Sequence, residues 1–363
     1  MIRLKLMICI SQLSKGGAER VVVNLANYLS QTNDVTIVVF RKGTVQYDVN
    51  DKVKTIELDK VDTENHKIIR NIKRIIKLNS VLKKEKYDVT LSFLPKPSYM
   101  MLFLKLFRKN KVIVSVRNDP RIEYKSFISR ALMKWLYPRA DGFVFQTEDA
   151  RNYFSEEIKE KSVVIANSLN KDFIVDSFSK KRTNAIVTVG RLAKQKNHKL
   201  LIDAFEKFNK EVSNCKLIIY GDGSDRSNLQ EYINSKNLQN KVFLAGQISD
   251  VKKKIYDARM FVLSSDYEGM PNALMEALAM GIPCISTNCP CGGPKMLITN
   301  NFNGFLVSVN DSDLLCKSML RLYNNQELQN KFSQNSIARM KKYNPNIINK
   351  KWLDYFKKIN SSK

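Results

Sequence analysis

The alternation of short apolar runs with helical patterns constrains the fold of this chain more than any other feature. Runs typical of strands occur in the first half at 4–10, 35–40, 53–58, 89–93, 111–116 and 142–146. Helical patterns at 18–29 and 66–86 interrupt them. Strands that alternate with helices predict a parallel sheet covered by helices on both faces.

The same alternation starts again after a polar stretch at 171–184. Strand patterns follow at 185–189, 216–220, 242–244, 260–263 and 283–286, with helical patterns at 199–211, 229–236 and 272–279. We therefore predict an α/β protein with two Rossmann-like domains, residues 1–170 and 171–343, and a last helix at 344–363. Ligands of such sheets bind outside the carboxyl ends of the strands, so two sheets facing a central cleft would hold two substrates.

The net charge of +26 predicts a partner that carries negative charge. A surface of this kind attracts nucleic acid, an anionic membrane leaflet or a diphosphate substrate. No apolar run reaches the roughly 18 residues of a membrane-spanning helix. The six cysteines follow no framework spacing, which is typical of a reducing cytosol.

Two glycines after the first predicted strand open the helix that follows. Gly16 and Gly17 stand in the segment SQLSKGGAER. Glycines there let backbone N–H groups approach an anion at the positive end of a helix. A tight turn into a helix would use the same residues, so the pair alone leaves both interpretations open.

A basic segment follows the first strand of the second half. That strand pattern ends at Gly190, and the segment GRLAKQKNH carries Arg191, Lys194 and Lys196 beyond it. Arg grips phosphate oxygens with two parallel donors, while Lys acts as a point charge. The segment indicates a phosphate-bearing ligand at a strand end, with a solvated run of charges as the alternative.

Two glutamates eight positions apart frame the start of a predicted helix. Glu268 lies in the loop before it, and Glu276 lies inside it, about two helical turns further on. The free N–H groups of a helix start can bind a phosphate, and a glutamate can accept hydrogen bonds from two hydroxyls of a sugar or ribose. The residues between the carboxylates are further candidates for ligand contact: Met270, Pro271, Asn272, Ala273 and Leu274.

Together these segments resemble the retaining glycosyltransferases of family 4 over essentially the whole chain. The most specific element is Glu268…Glu276 within EGMPNALMEALAMGIPCIST, followed by GRLAKQKNH, GGAER, YGDGSDR at 220–226 and FLAG at 243–246. The resemblance implies the GT-B fold, in which the C-terminal of two Rossmann-like domains holds a nucleotide-sugar donor. It also implies that the helix at 344–363 packs back on the N-terminal, acceptor-binding domain.

The resemblance further implies roles for individual residues. Glu276 would bind the donor ribose, and Glu268 would contact the transferred sugar. Arg191 and Lys196 would neutralise the diphosphate leaving group, so no metal and no other cofactor is expected. The remaining implied donor contacts are glycines: Gly16 and Gly17 over the donor sugar, Gly190 at the strand end and Gly246 near the base.

One departure from the family concerns a histidine that many members place beside the reacting sugar. The corresponding segment reads SVRNDP, so Arg117 and Asn118 stand there. Arg117 is a candidate for a role in the reaction, with a structural arginine at a strand end as the equal alternative. The sequence DSD at 311–313 looks like a metal-binding motif, but we predict that Asp311 or Ser312 caps a helix.

The helix predicted at 66–86 is basic and amphipathic. Lys67, Arg70, Arg74 and Lys77 follow three- and four-residue steps and therefore share one face, while isoleucines form an apolar side. Such a helix suits an anionic membrane or ligand. The alternative is an ordinary surface helix packed by its isoleucines. Two further apolar and basic segments, 98–111 and 125–139, lie in the same half and contain few aromatics spaced for base stacking.

These observations favour a glycosyltransferase that uses a nucleotide-sugar donor, preferably a UDP-hexose or UDP-N-acetylhexosamine, and a lipid-linked or polysaccharide acceptor. We expect it in the cytoplasm, on the inner face of the cytoplasmic membrane, with an anionic membrane surface and no nucleic acid as partner. A GDP-sugar is the alternative donor. A nucleotide-sugar epimerase, or a non-enzymatic binder of membrane or nucleic acid, is the alternative of another class.

Overall fold

The chain divides into two α/β units in a computed structural model that describes residues 3–14, 16–41, 43, 47–59, 67–178 and 180–362. Unit 1 comprises Met1–Ser168 and Asn346–Lys363, and unit 2 comprises Leu169–Pro345. Among the described helices, none combines the length and the hydropathy needed to cross a bilayer.

Unit 1 is built on a parallel sheet in the order β3-β2-β1-β4-β5-β6-β7. Its strands are β1 (Lys5–Ile10), β2 (Asp34–Val39), β3 (Val53–Glu57), β4 (Val89–Phe93), β5 (Lys111–Ser115), β6 (Gly142–Phe145) and β7 (Ser162–Val164). Its helices are α1 (Gly17–Leu29), α2 (Lys67–Lys84), α3 (Pro95–Lys105), α4 (Pro120–Glu123), α5 (Phe127–Leu136), α6 (Glu148–Arg151) and α7 (Glu156–Glu160). Strands β4 and β6 are buried along their whole length, which fits the lack of charged residues in both.

Unit 2 is built on a second parallel sheet, in the order β10-β9-β8-β11-β12-β13. Its strands are β8 (Ala185–Val189), β9 (Lys216–Tyr220), β10 (Val242–Gly246), β11 (Met260–Leu263), β12 (Cys284–Thr287) and β13 (Phe305–Val307). Its helices are α8 (His198–Glu211), α9 (Arg226–Ser235), α10 (Val251–Ile255), α11 (Asn272–Ala279), α12 (Gly293–Leu297), α13 (Ser312–Tyr323) and α14 (Gln326–Met340). Helix α13 begins at the predicted place, because the Asp311 carboxylate accepts a hydrogen bond from the Leu314 N–H at 2.8 Å.

The last helix, α15 (Pro345–Ser361), belongs to unit 1. It buries Trp352 and Phe356, and the Trp352 ring stacks on Phe93 with a centroid distance of 6.2 Å. The Tyr355 hydroxyl accepts a hydrogen bond from the Phe143 N–H and donates one to the Lys161 carbonyl oxygen. These contacts attach α15 to β4, to β6 and to the residue before β7.

Each sheet has one point at which the strand order reverses. In unit 1 the reversal lies between β1 and β4, and in unit 2 it lies between β8 and β11. The segments that follow two such strands diverge to opposite sides of the sheet and leave a crevice at its carboxyl edge. The segments that follow these four strands are therefore the places where ligands are expected to bind.

Helix α2 departs from the sequence prediction. Arg74, predicted to lie on an exposed basic face, is 7% exposed, and its guanidinium group forms an ion pair with Asp59 at 2.6 Å. Leu78 and Leu82, four and eight positions further on, are buried on the same side of the helix. The prediction that Arg74 faces a membrane is therefore wrong, because this arginine pairs with the buried carboxylate of Asp59 and packs against the protein.

The other members of the predicted basic face have different surroundings. Lys77 donates a hydrogen bond to the Leu58 carbonyl oxygen at 2.6 Å, although its side chain is half exposed. Arg70 is partly buried, and the side chain of Lys67 lies outside the described part of the chain. The alternative interpretation, in which the isoleucines pack the helix onto the domain, is wrong for Ile68, Ile69, Ile72 and Ile76, which are all exposed.

Candidate active site

The carboxyl edge of the unit 2 sheet brings a basic and an acidic residue into contact at the reversal point. Strands β8 and β11 are hydrogen-bonded neighbours, so the segments after Val189 and Leu263 leave the sheet side by side. Lys196 on the first segment lies 2.5 Å from Glu268 Oε1 on the second. The Ser265 hydroxyl donates to the same oxygen at 2.7 Å. Glu268 is buried, so its ion pair with Lys196 is shielded from solvent at this edge of the sheet.

Hydrogen bonds hold the two segments together on both sides of this ion pair. The Gln195 side-chain amide donates to the Tyr267 carbonyl oxygen, and the main-chain carbonyl oxygen of Gln195 accepts from the Asp266 N–H. Asn197 donates to the Asp266 carboxylate and caps helix α8 through the Leu200 N–H. Gln195, Asn197 and Ser265 were not predicted from the sequence as site residues. The position of Asn197 directly before a helix, where Asn is a preferred cap, was the available signal.

The loop after Glu268 leads into helix α11, which starts at Asn272 as predicted. Pro271 occupies the N-cap position, and Met270 and Leu274 are buried. A methyl group at Gly293, the first residue of α12, would lie 1.7 Å from the Gly269 carbonyl oxygen. The backbone of this loop is thus held between the starts of α11 and α12, and only glycine fits at position 293.

The second glutamate of the pair lies inside helix α11. Glu276 is 4% exposed, compared with 6% for Glu268. Burial of a carboxylate costs free energy unless hydrogen-bond donors or positive charges compensate it. Lys196 and Ser265 compensate Glu268, and Glu276 adds a second buried carboxylate, in α11, whose oxygens can accept hydrogen bonds of the kind that sugar hydroxyls donate.

The remaining donor candidates of unit 2 lie around this edge. Arg191 is exposed immediately after β8. Gly190 packs beneath the Lys196 side chain, because a methyl group there would lie 3.4 Å from its Cε. Gly246 ends β10 with a φ of 75°, and its carbonyl oxygen accepts a hydrogen bond from the Gly221 N–H. Ala273 is partly exposed in the first turn of α11.

The glycine pair of unit 1 follows β1, at the reversal point of that sheet. Helix α1 starts at Gly17, directly after the N-cap residue Gly16. The Tyr47 hydroxyl accepts from the Gly16 N–H at 3.2 Å and donates to the Gly16 carbonyl oxygen at 2.9 Å. Backbone N–H groups of a helix start can bind an anion, and here the carboxylate of Glu19, in the first turn of α1, lies against Gly16.

Arg117 is buried at the carboxyl end of β5 in unit 1. Its guanidinium group donates to Asn167 and lies over the Phe93 ring, 5.3 Å from the centroid. Burial lowers its pKa to about 9, which leaves the group positively charged at neutral pH. Burial, followed by the charge of Asp119, raises the pKa of Glu123 to about 7. A carboxyl group that can hold or release a proton near neutral pH therefore lies close to this arginine, and no sequence pattern predicts it.

Two family models match the chain and together span residues 15–339. The model described as Glycosyltransferase Family 4 matches residues 15–173, and the model described as Glycosyl transferases group 1 matches residues 170–339. The boundary between the matches coincides with the boundary between the two units.

Two curated relatives match all or most of the chain. One from Campylobacter jejuni is an α-1,4-N-acetyl-D-galactosaminyltransferase named for GalNAc-α-(1→4)-GalNAc-α-(1→3)-diNAcBac-PP-undecaprenol. It is 29% identical over 99% of this chain and 100% of its own length. One from Escherichia coli, named UDP-Gal:α-D-GlcNAc-diphosphoundecaprenol α-1,3-galactosyltransferase, is 27% identical over 81% of each chain.

A solved structure with the same fold is that of HepE from Anabaena in complex with UDP and glucose. It aligns with a TM-score of 0.84 and 16% identity over 98% of this chain and 100% of HepE. Both parallel sheets fit the two Rossmann-like domains of the GT-B fold. The chain therefore belongs to the family 4 glycosyltransferases of GT-B fold.

Proposed function

We propose that this chain transfers a sugar, with retention of its anomeric configuration, from a UDP-sugar to a lipid-linked glycan. The observation that carries the proposal is the contact between Lys196 and Glu268 at the reversal point of the unit 2 sheet. It places a positive charge suited to a diphosphate next to a carboxylate suited to sugar hydroxyls. The Campylobacter and Escherichia coli relatives are named for diphosphoundecaprenol-linked acceptors, which supports an acceptor of that class.

The chemistry proposed for unit 2 is stabilisation of the leaving group. When the bond between the sugar and the diphosphate breaks, negative charge develops on the diphosphate oxygens. Arg191 and Lys196 supply positive charge there before the reaction, and charge that is already in place needs little reorganisation in the transition state. UDP is the preferred leaving group, since the Escherichia coli relative is named for UDP-Gal and HepE binds UDP; a GDP-sugar is the alternative donor.

A donor and acceptor panel tests this function. UDP-glucose, UDP-galactose, their N-acetylhexosamine counterparts and GDP-mannose would each be mixed with the protein, with and without an undecaprenyl-diphosphate-linked glycan. We expect one UDP-sugar to give acceptor-dependent UDP release and an α-linked product by NMR. A β-linked product from that donor would contradict retention. Interconversion of donor sugars without use of acceptor would instead indicate an epimerase.

The two buried glutamates should differ in kinetic effect. We expect Glu276→Ala to raise the KM for donor about tenfold or more, because a ribose contact is a binding contact and a charged hydrogen bond contributes about 1.5–3 kcal/mol. Glu268→Ala should lower kcat by a similar factor, because this carboxylate is assigned to the transferred sugar. Steady-state kinetics with varied donor separate the two effects. Identical profiles for both variants would show that these roles are assigned wrongly.

Activity should persist in excess EDTA. In this proposal, Arg191 and Lys196 provide the positive charge that a divalent metal provides in other transferases, so chelation should change kcat by less than about twofold. The measurement compares UDP release in EDTA with release in added Mg²⁺ or Mn²⁺. A strict requirement for either metal ion would overturn the metal-independent mechanism.

The proposed location is the inner face of the cytoplasmic membrane. A lipid-linked acceptor is confined to a bilayer, and a chain with a net charge of +26 is attracted to anionic lipid.

A further inference from the structure

Exposed large apolar side chains are concentrated on three helices of unit 1. On α2 the four isoleucines at 68, 69, 72 and 76 are between 47% and 75% exposed. Helices α3 and α5 add exposed aromatic and aliphatic residues near their ends: Phe103, Leu106, Phe107, Phe127, Ile128 and Trp135. We refer to these ten residues as the apolar face. Isolated exposed apolar residues need no explanation, but a concentration of this kind indicates an interaction surface.

The isoleucines of α2 form one continuous stripe. Ile69, Ile72 and Ile76 follow steps of three and four positions along one side of the helix, and Ile68 lies four positions before Ile72 on that side. The opposite side carries Arg74, Leu78 and Leu82, which are buried against unit 1. The ion pair between Arg74 and Asp59 fixes the rotation of the helix about its axis. The stripe is therefore held outward by the fold.

The three helices are neighbours on one face of the sheet. Arg108, just after α3, donates to the Asn79 side chain of α2 at 2.7 Å. Tyr99 of α3 donates to the Ser129 carbonyl oxygen of α5 at 3.0 Å. These contacts join α2 to α3 and α3 to α5, so the apolar residues of the three helices belong to one surface.

The charges around the apolar face identify its partner. The sequences of α2, α3 and α5 contain no Asp or Glu, whereas Lys73, Lys83, Lys84 and Lys134 on them are exposed. A second copy of this chain would bring the same positive surface and be repelled. The exposed apolar side chains and the positive charge around them fit a partner with an apolar interior and a negatively charged surface. An anionic lipid bilayer has these properties.

The apolar face also reaches the part of unit 1 where ligands are expected. A helix that follows a parallel strand begins at the carboxyl edge of the sheet, so Phe127 and Ile128 in the first turn of α5 lie near that edge. Exposed Ile122, in α4 between β5 and α5, lies there too. Ligands of α/β sheets bind at this edge. A bilayer that covers the apolar face would therefore lie beside the acceptor end of unit 1.

We propose that the apolar face of α2, α3 and α5 inserts into the head-group region of an anionic bilayer and so presents a membrane-embedded acceptor to unit 1. The isoleucine stripe enters the boundary between head groups and acyl chains, and the surrounding lysines meet lipid phosphates. This differs from attachment by the basic face of α2, because apolar insertion persists when salt screens the charges. The part concerning the acceptor rests on the proposed function.

Vesicle sedimentation tests the insertion. The full chain would be mixed with sucrose-loaded vesicles of phosphatidylglycerol and phosphatidylcholine (1:1) at low and high salt. We expect binding that weakens but persists at high salt, and a loss of at least tenfold in partitioning for the triple variant Ile69→Gln, Ile72→Gln, Ile76→Gln. The matched control is Phe302→Gln, Leu314→Gln, Ile347→Gln, which removes residues of similar exposure outside the apolar face. Equal thermal unfolding of both variants and the parent confirms that they are folded.

Fluorescence measures the depth of insertion. Trp135 lies on the apolar face and Trp352 is buried in unit 1, so lipids brominated in their acyl chains should quench Trp135 alone. Absence of quenching, together with full release of the protein at high salt, would show adsorption by charge and overturn the insertion. Parent-like vesicle binding by the triple variant would overturn it too. So would a dimer in sedimentation velocity that the triple variant abolishes, since the face would then bind a second copy.

Transfer assays separate this inference from the proposed function. The triple variant should match the parent with a short-chain, water-soluble diphosphate-linked glycan, and should lose at least tenfold in rate with an undecaprenyl-linked glycan embedded in vesicles. Equal rates on the embedded acceptor would contradict presentation by the apolar face. If the parent transfers sugar to neither acceptor, the proposed function fails, while the vesicle and quenching results still decide the insertion.

Discussion

Replacing both Arg191 and Lys196 by alanine should lower turnover by a hundredfold or more. Loss of a single preorganised group that stabilises developing negative charge costs about 10²–10³ in rate, or about 2.7–4 kcal/mol. The KM for donor should change less, because the charge to be stabilised is larger in the transition state than in the bound donor. The measurement is UDP release with saturating donor and acceptor.

The chain supplies a matched control and a way to separate two effects of Lys196. Lys194 is exposed on the same short segment, so Lys194→Ala removes an equal charge and should leave turnover within about twofold. Lys196→Ala removes the leaving-group charge and also the partner of Glu268, whereas Arg191→Ala removes an exposed charge alone. Parent-like turnover in the double variant, or an equal loss in Lys194→Ala, would remove the diphosphate assignment.

Arg74→Gln should destabilise unit 1 by about 3–5 kcal/mol. Removing one partner of a buried ion pair leaves the other charge buried and uncompensated, and such losses are of this size. Asp59 would be that charge, since its side chain is 10% exposed and Arg74 contacts it at 2.6 Å, whereas the half-exposed Lys77 lies 4.0 Å away and compensates it less. Urea unfolding followed by tryptophan fluorescence reports on unit 1, because Trp135 and Trp352 both belong to it.

A variant cycle separates this ion pair from a lipid contact. Lys83→Gln, on an exposed part of the same helix, should change the free energy of unfolding by less than about 0.5 kcal/mol. The double variant Asp59→Asn, Arg74→Gln should lose less than the sum of the single losses, because the two groups interact. If Arg74→Gln leaves unfolding unchanged but weakens binding to anionic vesicles, Arg74 contacts lipid after all.

The strands and most long helices could be predicted from the sequence because their periodicity is local. Strands β4, β8, β9 and β11 and helix α11 have the predicted bounds. Strands β7 and β13, each three residues long, were missed. Three residues carry too little periodicity to be recognised, and these strands form because a neighbouring strand offers a free edge for pairing.

The candidate site was predictable in composition but not in its contacts. Glu268 and Lys196 stood out as residue types at expected strand ends, but they are 72 positions apart in the sequence. Their contact exists because β8 and β11 pair at the reversal point of the sheet. The hydrogen bonds of Gln195 and Asn197 to the segment before Glu268 have the same origin, and the side chains themselves give no local sign of it.

Helix α2 separates what the sequence determined from what only the tertiary structure decided. By itself, the sequence determined that 67–84 forms a helix with a basic face and an apolar face, because side-chain spacing sets both. It did not determine which face turns outward. The orientation of the helix depends on Asp59, because its buried carboxylate requires a cationic partner and Arg74 is that partner. Leu78 and Leu82 are buried beside Arg74 on the same side of the helix, so the isoleucines at 68, 69, 72 and 76 lie outward, while Lys73 and Lys77 also stay at the surface.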